Sequence, residues 1–161
     1  MKEGPQASRK TYHSRIPDAR IAIITAEWNA EITSTLAVGA RDFLYKMGLE
    51  EAAVESFPVS GAFELPTGVK FLLDTNRFDA IIAIGCLVKG DTPHFEYISE
   101  VVSHRLSELS VAHTIPIGFG LLTVNTYEQA QQRAGGSHGN KGEEAAEAVL
   151  NLLDMRYHLQ V

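Results

Sequence analysis

The stretch AIIAIG, residues 80–85, is the feature that most constrains the fold of this chain. It is apolar throughout and rich in isoleucine, a β-branched residue that favours extended structure. A strand without a polar face is covered on both sides, as the strands of a parallel sheet usually are. The stretch therefore predicts a central strand of a sheet with helices on both faces.

The rest of the chain alternates between strand-like and helix-like patterns. Compact apolar runs at residues 20–25, 52–59 and 114–123 predict three further strands. Apolar residues at helical spacing follow them, and Thr126 with Gln129 and Asn140 with Glu143 resemble capping boxes of two final helices. The order predicts an α/β fold, a three-layer sandwich in which a four-stranded, mainly parallel sheet is flanked by helices.

Size and composition limit the classes of protein to consider. The 161 residues fit one domain, which we place at residues 20–161, preceded by residues 1–19 as a flexible arm or an edge-strand extension. A net charge of −6 argues against a nucleic-acid binder, and no apolar run is long enough to cross a membrane. The single cysteine, Cys86, excludes an internal disulfide and fits a reducing, cytoplasmic setting, and nothing indicates a metal site.

The segment CLVKGDTPHFEY, residues 86–97, follows the central strand and opens the next helix. Ligands of such sheets bind beyond the carboxyl ends of the strands. Thr92 is a suitable N-cap, Pro93 a suitable first helical residue, and His94 would then lie beside unpaired N–H groups that attract anions. The alternative interpretation is a routine helix start with a solvated histidine.

A second glycine-rich segment, RAGGSHGNKG at residues 133–142, carries Arg133 and Lys141 near the ends of two helices. Each is either a solvated cation near a helix end or part of a site for a small phosphorylated substrate, since guanidinium groups grip phosphate well. Other strand ends carry candidate binding residues as well. These are Trp28, Asn29, Ala62, Phe63, Glu64 and, in a position that is core by default, Phe119.

Several motifs, taken in order, closely resemble the lumazine synthase family. They are WN at 28–29, GAFELP at 61–66, GCLVKGDTPHFEY at 85–97, IPIGFGLLT at 115–123 and RAGGSHGNKG at 133–142. The resemblance covers about residues 20–153 and implies a flavodoxin-like fold. It implies condensation of 5-amino-6-(D-ribitylamino)uracil with 3,4-dihydroxy-2-butanone 4-phosphate to 6,7-dimethyl-8-ribityllumazine, phosphate and water, without a cofactor or metal.

The resemblance also implies a role for each matching residue. His94 would transfer protons, and Arg133 would grip the phosphate with backbone groups of Asp91 and Thr92. The pyrimidine and ribityl chain would contact Trp28, Asn29, Ala62, Phe63, Glu64, Cys86, Leu87, Val88, Phe119 and Lys141, with Phe119 lent by a neighbouring subunit. Trp28 departs from the phenylalanine that is common in the family at this place.

The family further implies a homo-oligomer, either a pentamer or a shell of twelve pentamers, with riboflavin synthase as a candidate partner. Two other functions stay open at this point. The first alternative to the enzyme is a riboflavin-binding storage protein in which Trp28 stacks on the flavin. The second is an inactive relative that forms a shell. The presence of His94, Arg133 and Lys141 favours the enzyme.

Overall fold

A computed structural model describes residues 11–161 and places six strands and five α-helices among them. In chain order these are β1 (Ile21–Ala26), α1 (Ala30–Lys46), β2 (Val54–Val59), α2 (Leu65–Asp74), β3 (Ala80–Val88), α3 (His94–His113), β4 (Ile117–Val124), α4 (Tyr127–Arg133), β5 (Ala134–Gly136), β6 (Gly139–Asn140) and α5 (Lys141–Leu159). In this part of the chain no helix is both long and apolar enough to cross a membrane.

Four strands form the main sheet in the order β2-β1-β3-β4, and all three pairings are parallel. The apolar run at residues 80–85 lies in β3, and every residue from Ala80 to Cys86 is buried. Because all four strands run in one direction, their carboxyl ends lie along the same edge. The predicted strand content and the parallel arrangement are confirmed.

Helices cover both faces of this sheet. Leu36 and Leu44 of α1 and Val149 and Leu153 of α5 pack against one face, in a core that also contains Ile82. On the other face, α2 and α3 pack in a second core built from Leu65, Val69, Val102 and Leu106 with Ile24, Ile81 and Ala83 of the strands. The three-layer, flavodoxin-like sandwich is therefore confirmed.

Some element boundaries differ from those predicted. The fourth strand begins at Ile117 rather than at residue 114, because Thr114 ends α3 with a positive φ of 51° and Pro116 supplies no backbone N–H. Residues 134–140, for which the sequence indicates only a glycine-rich segment between two helices, form a short antiparallel hairpin of β5 and β6. Gly135 and Gly139 have positive φ angles of 92° and 74°, which allow the tight reversal.

The predicted start of α3 was wrong by one residue. The helix begins at His94, with Pro93 as the N-cap, and no side chain caps its first turn. Thr92 is therefore not the capping residue, and His94 is the first helical residue rather than the second. The two other predicted caps are confirmed, since Thr126 Oγ1 accepts from Gln129 N and Asn140 Oδ1 accepts from Gly142 N and Glu143 N.

The segment before β1 lies partly outside the described residues, which begin at Thr11. Its described part packs against the last helix: Ile16 and Ala19 are buried in the α1–α5 core, and the backbone N–H of His13 donates to Asp154 Oδ1 over 2.7 Å. A short 3₁₀ turn at Ile16–Asp18 follows, and no strand forms in residues 11–19.

Candidate active site

A cavity of about 720 Å³ opens at the carboxyl edge of the sheet, beyond β1 and β3. The walls come from the β1–α1 junction, the 3₁₀ turn before α2, the end of β3 and the first turns of α3. The lining residues are Trp28, Asn29, Gly61, Ala62, Phe63, Glu64, Cys86, Leu87, Val88, His94 and Ile98. One chain thus brings together nine of the fourteen residues that the sequence singled out.

Asn29 ties two walls of this cavity together. It adopts the left-handed conformation with a φ of 58° at the start of α1, and its Nδ2 donates to the carbonyl oxygen of Cys86 over 2.9 Å. Asparagine tolerates this conformation better than most residues. The bond links the end of β1 to the end of β3.

Trp28 stands next to Asn29 with 74% of its surface exposed. Its backbone N–H donates to the carbonyl oxygen of Ser60 over 3.2 Å, which joins the β1 and β2 ends. The indole therefore does not cover the core. An exposed, concave-facing aromatic ring is instead suited to stacking on a flat ligand.

The 3₁₀ turn Ala62–Glu64 supplies the opposite wall. Ala62 is buried against the core, whereas Phe63 and Glu64 are exposed. The helix α2 begins at Leu65, so Glu64 occupies its N-cap position. Its carboxylate can accept hydrogen bonds from hydroxyl groups of a ligand.

His94 is exposed at the first position of α3 and faces the same cavity. The first-turn N–H groups of a helix lack partners inside the helix and favour anions. Ile98 lies one turn after His94 and also lines the cavity. Sequence reasoning missed Ile98, although the i, i+4 spacing places it on the same helix face as His94.

The loop before α3 carries Asp91 and Thr92, both exposed. Lys89, at the start of this loop, forms a 3.0 Å ion pair with Glu96 of the first turn. The hydrogen bond from Lys89 lowers the pKa of Glu96. Lys89 itself does not line the cavity.

Cys86 lies at the end of β3 and is only 3% exposed. Burial raises the pKa of its thiol to about 11, so the thiol stays protonated at neutral pH. A protonated, buried thiol is a poor nucleophile. Cys86 can therefore contribute through its backbone but not through sulfur chemistry.

The three remaining candidates lie elsewhere on the chain. Phe119, Arg133 and Lys141 line a separate groove of about 450 Å³ beside α4 and α5, along the edge of β4 that no strand of residues 11–161 pairs with. Phe119 is 48% exposed and so is not the core residue expected by default. The interpretation that His94, Arg133 and Lys141 form one site is not met within a single chain, because His94 lines the cavity whereas the two cations line the groove along β4.

The cations in the groove are held by the chain itself. Arg133 Nη1 donates to the carbonyl oxygen of Gln129 over 3.1 Å, and Lys141 Nζ bonds both carboxylate oxygens of Glu144 at 2.8 and 2.7 Å. Sequence reasoning missed Glu144, which the i, i+3 spacing from Lys141 would have indicated. The groove is therefore a preformed basic surface with one acidic partner.

Comparison with known proteins identifies the family. The family model described as 6,7-dimethyl-8-ribityllumazine synthase matches residues 18–156. The relative from Parabacteroides distasonis is 44% identical over 142 residues, covering 86% of this chain and 89% of the relative. The Bacteroides fragilis relative is 42% identical over 140 residues, covering 87% and 98%, and the Porphyromonas gingivalis relative is 46% identical over 135 residues, covering 84% of each.

All three relatives are named 6,7-dimethyl-8-ribityllumazine synthase. The matched region takes in every strand and every cavity residue described above. The family model therefore covers both the sheet and the residues of the cavity at its carboxyl edge. This chain belongs to the 6,7-dimethyl-8-ribityllumazine synthase family.

Proposed function

We propose that this chain condenses 5-amino-6-(D-ribitylamino)uracil with 3,4-dihydroxy-2-butanone 4-phosphate, and that it releases 6,7-dimethyl-8-ribityllumazine, phosphate and water. The observation that carries the proposal is the cavity at the carboxyl edge, in which Trp28, Glu64 and His94 lie together with the end of β3. It offers an aromatic ring for stacking, a carboxylate that accepts from hydroxyl groups, and an imidazole that can accept and donate a proton.

The pyrimidine and its ribityl chain would occupy the part of the cavity between the β1 and β3 ends. Trp28 would stack on the ring, and backbone groups of Cys86, Leu87 and Val88 would bond its polar edge. The bond from Asn29 Nδ2 to the Cys86 carbonyl would hold that strand end in place. Ala62, Phe63 and Glu64 would contact the ribityl chain, with the Glu64 carboxylate accepting from its hydroxyl groups.

The butanone phosphate would be bound by Asp91 and Thr92 through backbone groups and by Arg133 of a neighbouring copy. The whole chain carries a net charge of −6, and the described cavity contains Glu64 but no arginine or lysine. An anionic substrate therefore needs cations from outside this cavity. Arg133 and Lys141, displayed along the free edge of β4, supply them when a second chain is seated beside the first.

Two surfaces support assembly into a ring. The free edge of β4 exposes Phe119, and a groove of about 550 Å³ between α2 and α3 exposes Phe63 and Val101. An edge strand and an apolar groove on one chain suit a head-to-tail contact, and such contacts form a ring when the rotation between neighbouring chains closes. The proposed assembly is a pentamer or a shell of twelve pentamers, and the particle mass distinguishes five chains from sixty.

His94 would move protons as the amine attacks the ketone, phosphate leaves and the second ring-closing bond forms. Holding both substrates side by side would contribute much of the rate, because orientation replaces a bimolecular encounter. No cofactor or metal takes part in this proposal. The enzyme would act in the cytoplasm, where Cys86 stays reduced, and its product would pass to riboflavin synthase.

A riboflavin-storage function accounts for Trp28 alone and gives no part to His94 or Arg133. The enzymatic function accounts for all three. Mixing both substrates with the purified protein and following lumazine fluorescence tests it. Substrate-dependent fluorescence above the uncatalysed rate is expected, and a rate equal to the buffer blank would contradict the proposal.

A further inference from the structure

The start of α5 lies so close to α1 that two positions at this contact, Gly39 and Gly142, leave no room for a side chain. A side chain at Gly142, in the first turn of α5, would collide with the backbone carbonyl of Leu36. A side chain at Gly39 of α1 would collide with the amide group of Asn140. The start of α5 is therefore seated against the backbone of α1.

The side-chain amide of Asn140 both accepts and donates hydrogen bonds at this contact. Its Oδ1 accepts from the backbone N–H groups of Gly142 and Glu143 over 2.9 and 3.2 Å, which caps α5. Its Nδ2 donates to the carbonyl oxygen of Thr35, a residue of α1, over 3.0 Å. A helix cap needs only the first of these functions. The second fixes the direction in which α5 leaves the hairpin.

Lys141 is the next residue in the chain and the first residue of α5. Its ammonium group lies on Glu144 and lines the groove that also contains Phe119 and Arg133. A small rotation of the first turn of α5 would carry Lys141 away from that groove. The bond from Asn140 to α1 opposes this rotation.

We infer that Asn140 is a positioning residue for Lys141 and that it acts through its bond to the Thr35 carbonyl rather than only as a helix cap. The inference rests on the proposed function, in which Lys141 lines the substrate site of a neighbouring chain. Asn140 itself does not line either cavity.

Asn140→Asp separates the two functions of this side chain. Aspartate caps helices as well as asparagine does, but an ionised carboxylate has no N–H to donate to Thr35. Gly39→Ala is the second variant, since the added methyl group displaces the Asn140 amide while every hydrogen-bonding group stays present. Leu153→Ala is the control, because Leu153 is fully buried on α5, three turns away from Lys141.

The test measures kcat and KM for both substrates and the thermal midpoint of each full-length variant. We expect Asn140→Asp and Gly39→Ala to lower kcat/KM by about tenfold to a hundredfold, as misplacing a contact group does. Leu153→Ala should lower the midpoint and leave kcat/KM unchanged. In a Lys141→Ala background, Asn140→Asp should change kcat/KM by less than about twofold, because the residue it positions is gone.

Loss of thermal stability without loss of kcat/KM in Asn140→Asp and Gly39→Ala would make Asn140 a cap alone and overturn the inference. Equal losses with and without Lys141 would overturn it too. If Asn140→Asp does not fold, Gly39→Ala alone decides between these outcomes. Full activity in Lys141→Ala would instead remove Lys141 from the proposed site, and the inference would fail together with that part of the proposed function.

Discussion

Burial of Cys86 changes the acidity of its thiol. It is the only cysteine of the chain, and it lies at the end of β3 where the substrate is proposed to bind. Burial raises the pKa of its thiol to about 11 from an ordinary value of 9.0. The folded protein therefore keeps the proton on sulfur at a pH at which the unfolded chain loses it.

This difference predicts a loss of stability at alkaline pH. Because the unfolded thiol ionises first, the stabilising effect is complete below about pH 9 and is lost as pH rises towards 11. We expect the wild-type chain to lose about 1 kcal/mol more unfolding free energy than Cys86→Ala between pH 8 and pH 10. Urea unfolding of both proteins at matched concentration measures it, and parallel curves would contradict it.

His94 is expected to help catalysis without being indispensable. His94→Ala should lower kcat by about a hundredfold or less, at the low end of general acid–base effects, because substrate alignment remains. Steady-state kinetics with both substrates check this, with His113→Ala at the far end of α3 as a control that should stay near wild type. Complete inactivity of a correctly folded His94→Ala would show that alignment alone contributes little.

Substitution of Arg133 should impair the enzyme more than substitution of His94, and it should act on KM rather than on kcat. Its guanidinium lies along the free edge of β4 and is proposed to bind the phosphate of a substrate on the neighbouring chain. Arg133→Ala should raise KM for the butanone phosphate by about tenfold or more, the scale of a lost charge-assisted hydrogen bond. Arg77→Ala, whose guanidinium pairs with Glu55, is the matched control. Normal kinetics in Arg133→Ala would remove it from the phosphate site.

Among the elements, the β1–α1 junction carries the most constrained backbone of the site. Asn29 combines a positive φ of 58° with the bond to the Cys86 carbonyl. Asn29→Ala loses the bond and strains the backbone, whereas Asn29→Gly loses the bond alone. We expect the alanine variant to be less stable than the glycine variant by about 1 kcal/mol. Urea unfolding of both variants measures the difference, and equal stability would contradict it.

The elements also show why sequence reasoning succeeded in some places and failed in others. Residues 80–85 predicted the central strand because a short apolar run rich in β-branched residues is typical of a strand that is covered on both faces. The hairpin at 134–140 was missed because only three and two residues form its strands, too few for an alternating pattern. Thr92 was chosen as a cap on residue type, although Pro93 takes the N-cap place in the structure.

For the candidate site, the sequence predicted which residues line the cavity, but it did not predict that Arg133 and Lys141 line a separate groove. Strand ends such as Trp28 and Cys86 converge because parallel strands end at one edge, which is a general property of such sheets. Nothing in a single sequence says that Arg133 lines a groove along β4 rather than the cavity of His94, because a local pattern does not encode the relation between distant elements. Glu144 and Ile98 were missed although helical spacing placed them beside Lys141 and His94.

At the scale of the whole molecule, the structure divides the proposed site between two surfaces of one chain. The cavity at the carboxyl edge holds His94, and the groove along β4 holds Arg133 and Lys141. In a head-to-tail ring every site joins the cavity of one subunit to the groove of the next. Each site then contains His94 of one chain and Arg133 of another. Two variants that are each impaired alone can therefore be combined in one oligomer to test whether the two residues come from different chains.

Co-expression of His94→Ala and Arg133→Ala chains should therefore restore activity. A site is intact when an Arg133→Ala chain supplies its cavity, with a normal His94, and a His94→Ala chain supplies its groove, with a normal Arg133. If the two chains are present in equal amounts and mix at random, about a quarter of the sites have this combination. Doubly tagged oligomers should show that fraction of the wild-type kcat/KM. Mixing His94→Ala with the double variant is the control, since it creates no intact site. Activity no higher than the mean of the two single variants would place both residues in one subunit's site and contradict the ring arrangement.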